Sequence, residues 1–266
     1  MQFDYSDLAD RAIFKLPYLS TITRYFPLLI LAIAWEGIAI LGEVPDYILP
    51  SLSSVGMAFV EMSQDDLWFH TSRSIYRGFS ALAAAIILGT SLGILMAQIK
   101  PVRVIVKPFV QMFYPMPKSA LIPIAIMWFG LGDSSKIVLI FIGSLLPIIM
   151  SSFNSARGVD QVLVWSAQSF GASKREILVE IILPGALPEI LAGIRVALAL
   201  SFILMVSSEF IIGNDGIGFL ISSSGENAYY QGMWAGIITI SAIGFLSDRI
   251  YERGMKKLLS WQDIAQ

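Results

Sequence analysis

Cysteine is absent from the 266 residues, which excludes disulfides, thiol catalysis and thiolate metal sites. Histidine occurs once, at His70, and one imidazole does not make a metal site. Charge is also scarce. Asp, Glu, Lys and Arg make up 14% of the chain, and a formal net charge of −2 offers no basic patch for nucleic acid. No Gly-x-x-x-x-Gly-Lys-Ser/Thr loop is there to cradle phosphates, and no Ser-His-Asp arrangement or paired-carboxylate site presents itself. The chain therefore reads as no enzyme by itself. Residues 1–25 hold Asp4, Asp7, Asp10, Arg11, Lys15 and Arg24 without an apolar core, so they read as a cytoplasmic, partly amphipathic lead-in rather than a cleaved signal peptide.

What is abundant is apolar sequence: 56% of residues are hydrophobic, with a mean hydropathy of +0.71. Apolar stretches run over 26–41, 78–99, 104–129, 137–153, 187–212 and 233–250. A helix needs about 20 residues to cross the hydrocarbon core, and the first stretch is short and carries Glu36. None alternates with period two, which argues against strands. The expected fold is all-α and polytopic, with six transmembrane helices in one permease domain spanning 1–266. With the N-terminus inside, the inner segments collect Arg11, Lys15, Arg24, Lys100, Arg103, Lys107, Arg157, Lys174, Arg175, Arg249, Arg253, Lys256 and Lys257. The outer ones keep only Arg73, Arg77 and Lys136. This positive-inside asymmetry puts both termini in the cytoplasm. Outside lie a long segment, 42–76, with a short interfacial helix near 55–62, and a Gly-, Ser- and Asn-rich segment, 213–232.

The inner segment 165–184, WSAQSFGASKREILVEIILP, has a specific spacing. Small Ser166, Ala167, Ser169 and Ala172 let a short helix seat closely in a groove. Gly171 suits a turn closed to residues with a side chain, and Ser173 suits the cap of a helix beginning at Lys174. Ile177, Leu178 and Ile181 fall on one face at helical spacing, and Pro184 and Pro188 break the path as the chain re-enters the membrane.

This segment resembles the signature of bacterial ABC-importer permeases, in which Glu-Ala-Ala is followed by Gly and, ten residues on, by Ile-x-Leu-Pro. Ala167, Gly171, Ile181, Leu183 and Pro184 match; Trp165 and Ser166 depart, standing where the signature has Glu and the first Ala. Leu49-Pro50-Ser51, 121–137, 184–198 and 208–220 are similar to the nitrate, sulfonate, taurine and bicarbonate branch. The resemblance implies a type I ABC-importer fold whose cytoplasmic coupling loop, 154–186, docks on an ATPase subunit through Trp165, Ser166, Ala167, Gly171, Ala172, Ile181, Leu183 and Pro184. It implies a homodimer in the lipid of a bacterial inner membrane, two ATPase copies below and an extracytoplasmic substrate-binding protein above. No cofactor is bound by this chain; ATP and Mg belong to the ATPase. The resemblance names a branch and no single substrate: it implies a small solute, anionic by preference, such as nitrate, a sulfonate, taurine, bicarbonate or a related organic solute, moved by alternating access.

The third stretch is the expected transport path. Pro115 and Pro117 interrupt it beside Met112 and Tyr114, and broken helices in membranes face protein or water. Lys118 follows the break. A cation within a span costs about 2.5 to 3.5 kcal/mol on insertion scales, so it faces a cavity, snorkels, or pairs with a carboxylate such as Glu209. Glu209 either lines the outer mouth or holds the Gly-rich loop by accepting its amides. Arg195 snorkels or pairs with Glu189, Gly89 and Gly93 serve helix packing, and His70 is expected at the surface. The alternative to an ATP-driven importer is an ion-gradient-driven transporter or channel, which calls for charged relays deep in several spans.

Overall fold

Long apolar runs wind into helices because lipid offers no partner for a free backbone amide or carbonyl. The structure, a computed structural model, describes residues 17–42 and 44–261, and no strand occurs among them. Much of the lead-in, residues 1–16, lies outside the described residues; from Pro17 the chain is already helical. Helix α1 (Pro17–Leu41) is followed by α2 (Leu52–Gln64), α3 (Leu67–Gln98) and α4 (Lys100–Phe113). A 3-10 turn (Lys118–Leu121) leads into α5 (Ile122–Phe129), and then come α6 (Asp133–Gly158), α7 (Gln161–Ser169) and a single turn, α8 (Lys174–Glu176). A π-helical segment (Ile177–Ile182) runs into α9 (Leu183–Ile212), followed by α10 (Ile217–Glu226) and α11 (Tyr230–Leu258).

Among the described residues, four helical stretches are long and apolar enough to cross a membrane: Leu67–Gln98, Asp133–Gly158, Lys174–Ile211 and Tyr230–Leu258. The first and third apolar stretches appear as shorter apolar helices, Phe26–Leu41 and Lys118–Phe129. The third is not one span. Tyr114, Pro115, Met116 and Pro117 separate α4 from the 3-10 turn, and Pro117 cannot supply the amide a continuous helix needs.

α6 forms the centre, packed along α3 on one side and α9 on the other. Small residues permit the close approach. A Cβ on Gly93 would lie 2.6 Å from the Ser152 Cβ and 2.7 Å from the Ile149 carbonyl oxygen, so the expected packing role of this glycine is met against α6. The core beneath joins Leu82, Ala85, Ile148, Ala156, Ile177, Ile182, Ile190 and Ile194. Glu36, the charge that made the first stretch unusual, accepts the Leu52 amide at 2.5 Å, while Trp35 Nε1 donates to the Pro50 carbonyl at 2.9 Å. Ser51 accepts the Ser54 amide at 3.2 Å, so α2, the expected interfacial helix, starts from its own cap and from α1 together.

Candidate functional site

The segment expected to couple to an ATPase is built by three successive local devices. Asp160 accepts the Val162 amide at 2.8 Å and starts α7. At its end Gly171 takes φ +82°, which an L side chain resists. The Ala172 amide then reaches the Ala167 carbonyl and the Gly171 amide the Gln168 carbonyl, both at 3.0 Å, which is the Schellman closure of a helix. Ser173 begins the next turn: its hydroxyl accepts the Glu176 amide at 3.3 Å, and the Glu176 carboxylate accepts the Ser173 amide at 2.6 Å, a reciprocal capping box. The cap expected at Ser173 and the turn expected at Gly171 are both present.

The apolar face beyond them differs from the expectation. Ile177 and Ile182 are buried in the core, whereas Ile181 and Leu183 are half-buried and Pro184 is exposed. The reason is the π winding of Ile177–Ile182, whose i→i+5 bonding brings residues five apart onto one side. Ala167 and Ala172 lean on the same core, while Trp165 and Ser166 face outward. The segment is thus anchored on one side and open on the other.

At the break in the third stretch, Lys118 Nζ donates to the Tyr114 carbonyl and sits 5.5 Å from the centre of the Tyr114 ring. It satisfies a carbonyl that lies beyond the last regular turn of α4. Lys118 is half-buried, and Met112, Tyr114, Pro115 and Pro117 are exposed around it. Its stem passes the bare face of Gly143 on α6, where a Cβ would stand 3.7 Å from the Lys118 Cγ. Beside it, α4, α5 and α6 enclose an apolar groove of about 560 Å³, lined by residues including Phe109, Phe113, Trp128 and Leu146.

Lys118 and Glu209 do not meet. Glu209, fully buried, belongs to an ion cluster where α3, α6, α9 and the 213–216 loop converge. Arg77 is 1% exposed and donates to Asp133 at 2.7 Å, to Glu209 at 2.8 Å and to Asp215. Arg73 bridges Asp133 at 2.7 Å and Asp215 at 2.9 Å, and Lys136 stands 3.9 Å from Asp215. Three cations thus face three carboxylates, and the cluster is neutral. Burial alone would raise the Asp215 carboxyl, but hydrogen bonds from Arg77 and Arg73 hold it below the usual carboxylate range.

The same cluster starts α10. Gly216 takes φ +103°, and the first amides of α10 find side chains of other helices rather than a local cap. The Gly216 amide donates to His70 Nδ1 at 3.0 Å, Ile217 to Ser74 at 2.8 Å, and Gly218 to Glu209 at 3.1 Å. Glu209 therefore does accept a loop amide. His70 is not a surface residue; it is buried against Phe69 and Phe219 because the loop needs its acceptor. Arg73, Arg77 and Lys136 are helix residues rather than loop charges. Sequence reasoning passed over Arg77, although Arg73 and Arg77 at i and i+4 share one helix face beside an apolar run, which is a readable signal. At the other end of α9, Arg195 pairs with Asp248 at 2.6 Å and Glu252 at 3.7 Å on α11, not with Glu189, which lies six residues earlier on another face of α9.

Residues 85–258 match the family described as binding-protein-dependent transport system inner membrane component. Among curated proteins, the taurine transport system permease protein TauC of Escherichia coli (strain K12) is 38% identical over 200 residues, covering 75% of this chain and 73% of that one. The putative aliphatic sulfonates transport permease protein SsuC of Bacillus subtilis (strain 168) is 33% identical over 238 residues, 89% of this chain and 86% of that one. Among solved structures, an inward-facing conformation of the MetNI methionine ABC transporter aligns with a TM-score of 0.62 at 18% identity, covering 72% of this chain and 95% of that one, a likeness of fold.

Proposed function

Because the chain belongs to the binding-protein-dependent transport system inner membrane components, and is a multi-pass permease of the ABC-importer type, we propose that it moves a small anionic solute, with a sulfonate first among candidates, by alternating access as a homodimer. Two ATPase subunits dock on the 154–186 segment, and a binding protein delivers the solute at the opposite face, with both termini on the ATPase side. One observation carries the coupling role. Between α6 and α9, the two helices of the core, the chain makes a closed turn at Gly171 and a capping box at Ser173, so that α7 is held rigidly and displayed outward. A displacement of α7 passes directly through the π segment into α9. The ATPase shifts the permease only through its differential fit to the two conformations.

The sulfonate preference draws on the named cargo of the two curated relatives and on Lys118 at the break. Its ammonium is engaged by a backbone carbonyl and a ring face, with no carboxylate partner among the described residues, so an arriving anion would bring it a full counter-charge. Met112, Tyr114, Pro115 and Pro117 shape that position, and Glu209 shapes the path from behind through the outer cluster. Uptake by proteoliposomes holding the chain, its ATPase and its binding protein tests this. Gly171→Arg should insert normally and abolish uptake, and wild-type uptake by that variant would refute coupling through α7. Lys118→Ala should slow sulfonate uptake while Lys118→Arg retains most of it; equal rates in both would remove Lys118 from the path.

A further inference from the structure

α7 carries no charged residue, yet with one face on the core it keeps large apolar side chains in the open on the other. Val162 is 62% exposed, Leu163 55% and Trp165 61%, while Phe170 at its end is 89% exposed. At about 100° per residue, these four and the small Ser166 and Ser169 share an arc of roughly 160°. Val164 and Ala167 point the other way, into the core. The Ser169 hydroxyl turns back to the Trp165 carbonyl at 3.0 Å. The exposed arc thus runs from Trp165 at one edge, past Ser169, Val162 and Ser166, to Phe170 and Leu163 at the other.

The charges lie around it. Arg157, Asp160, Lys174, Arg175 and Glu176 are all exposed, and the two carboxylates already accept backbone amides. An apolar centre depleted of charge within a polar rim is the anatomy of a protein interface. A membrane surface fits less well. Helices that lie in the lipid interface depend on Lys and Arg on their polar face, and α7 has neither. Its second face is committed to the core.

Resting on the reading that 154–186 couples to the transport ATPase, we propose that the ATPase grips this charge-free face through an apolar recess, with Trp165 and Phe170 as the two anchors and no ion pair. Trp165 occupies the place where the resembled signature has Glu, so the matching recess presents no cation there. The face thereby selects which ATPase this permease accepts. Aromatic anchors in desolvated pockets carry most of the affinity of such contacts.

The test is binding of the full chain in nanodiscs to the ATPase subunit of its own transport system, by biolayer interferometry at about 0.1 M and about 0.5 M salt. Wild-type affinity should change less than about twofold over that range, and Trp165→Ala and Phe170→Ala should each weaken it by about tenfold or more. Because both side chains are exposed, neither variant should alter thermal unfolding of the chain alone. Binding that falls tenfold with salt, or that ignores both variants, overturns the apolar seat while leaving the ATPase as partner. No binding by wild type overturns both. Since the chain has no cysteine, a Phe170→Cys variant takes a single environment-sensitive label; quenching of that label by brominated lipid in the chain alone would place the face in the membrane instead and overturn the proposal.

Discussion

Replacing Arg77 by Met should be among the most destabilising single changes available in this chain. Arg77 and Glu209 are 1% and 0% exposed at the side chain, and they are joined at 2.8 Å. The variant leaves Glu209 buried with the Ser74 hydroxyl and the Gly218 amide but without its ion-pair partner. Breaking a buried pair by removing one partner costs about 3 to 5 kcal/mol, because the remaining charge loses its compensation. Glu209→Gln in the same background removes that charge, so the double variant should recover at least about 1.5 kcal/mol relative to the sum of the single ones. Asp133 and Asp215 keep Arg73 in either case. The assay is reversible unfolding in mixed micelles, run as a double-mutant cycle, with Arg195→Met as comparison. The Arg195–Asp248 pair is 39% and 36% exposed, and after screening by water it should contribute only about 0 to 1 kcal/mol. Additive single changes, or an Arg77→Met cost no larger than that of Arg195→Met, would refute the reasoning.

Gly93→Leu should prevent α3 from seating on α6 and lower the yield of folded protein, read by size-exclusion profile, because even a Cβ there meets the Ser152 Cβ at 2.6 Å. Ser173→Ala removes half of the capping box and should cost about 0.5 to 2 kcal/mol locally, visible as faster amide exchange at Glu176 with the spanning helices unchanged. The carboxyl of Asp215 sits below its unfolded value, so its contribution is complete above that value and fades as pH falls through the folded one. Acid loosening of the 213–218 amides in hydrogen exchange should therefore have a component below about pH 4 that Asp215→Asn lacks.

Much of this arrangement was legible in the sequence, and the gaps have physical causes. Helical class, four of the six expected spans at full length and the turn at Gly171 follow from apolar run length and from glycine's tolerance of positive φ, both of which are local properties. The capping box at Ser173 follows equally, since Ser and Glu three apart carry their own geometry. The burial of Ile182 in place of Ile181 did not follow, because spacing along the sequence reads a helix at 3.6 residues per turn and this segment winds as π. The ion cluster was hidden for another reason. His70 and Arg77 on α3 are far in sequence from Asp133 and Asp215, and a charge count along the chain places the charged ones in loops, whereas helix packing gathers all four around the start of α10. Glu36 is read in the same way: it looks misplaced in an apolar stretch until the free Leu52 amide is seen beside it.

The central claim is that this permease receives mechanical work from a separate ATPase through α7 and the Gly171 turn. The most direct measurement is ATP hydrolysis by the chain reconstituted in lipid with its ATPase, with and without ligand-loaded binding protein. The account predicts hydrolysis that the loaded binding protein stimulates and that Gly171→Arg leaves unstimulated. Hydrolysis indifferent to the binding protein, or equally stimulated in Gly171→Arg, would contradict it.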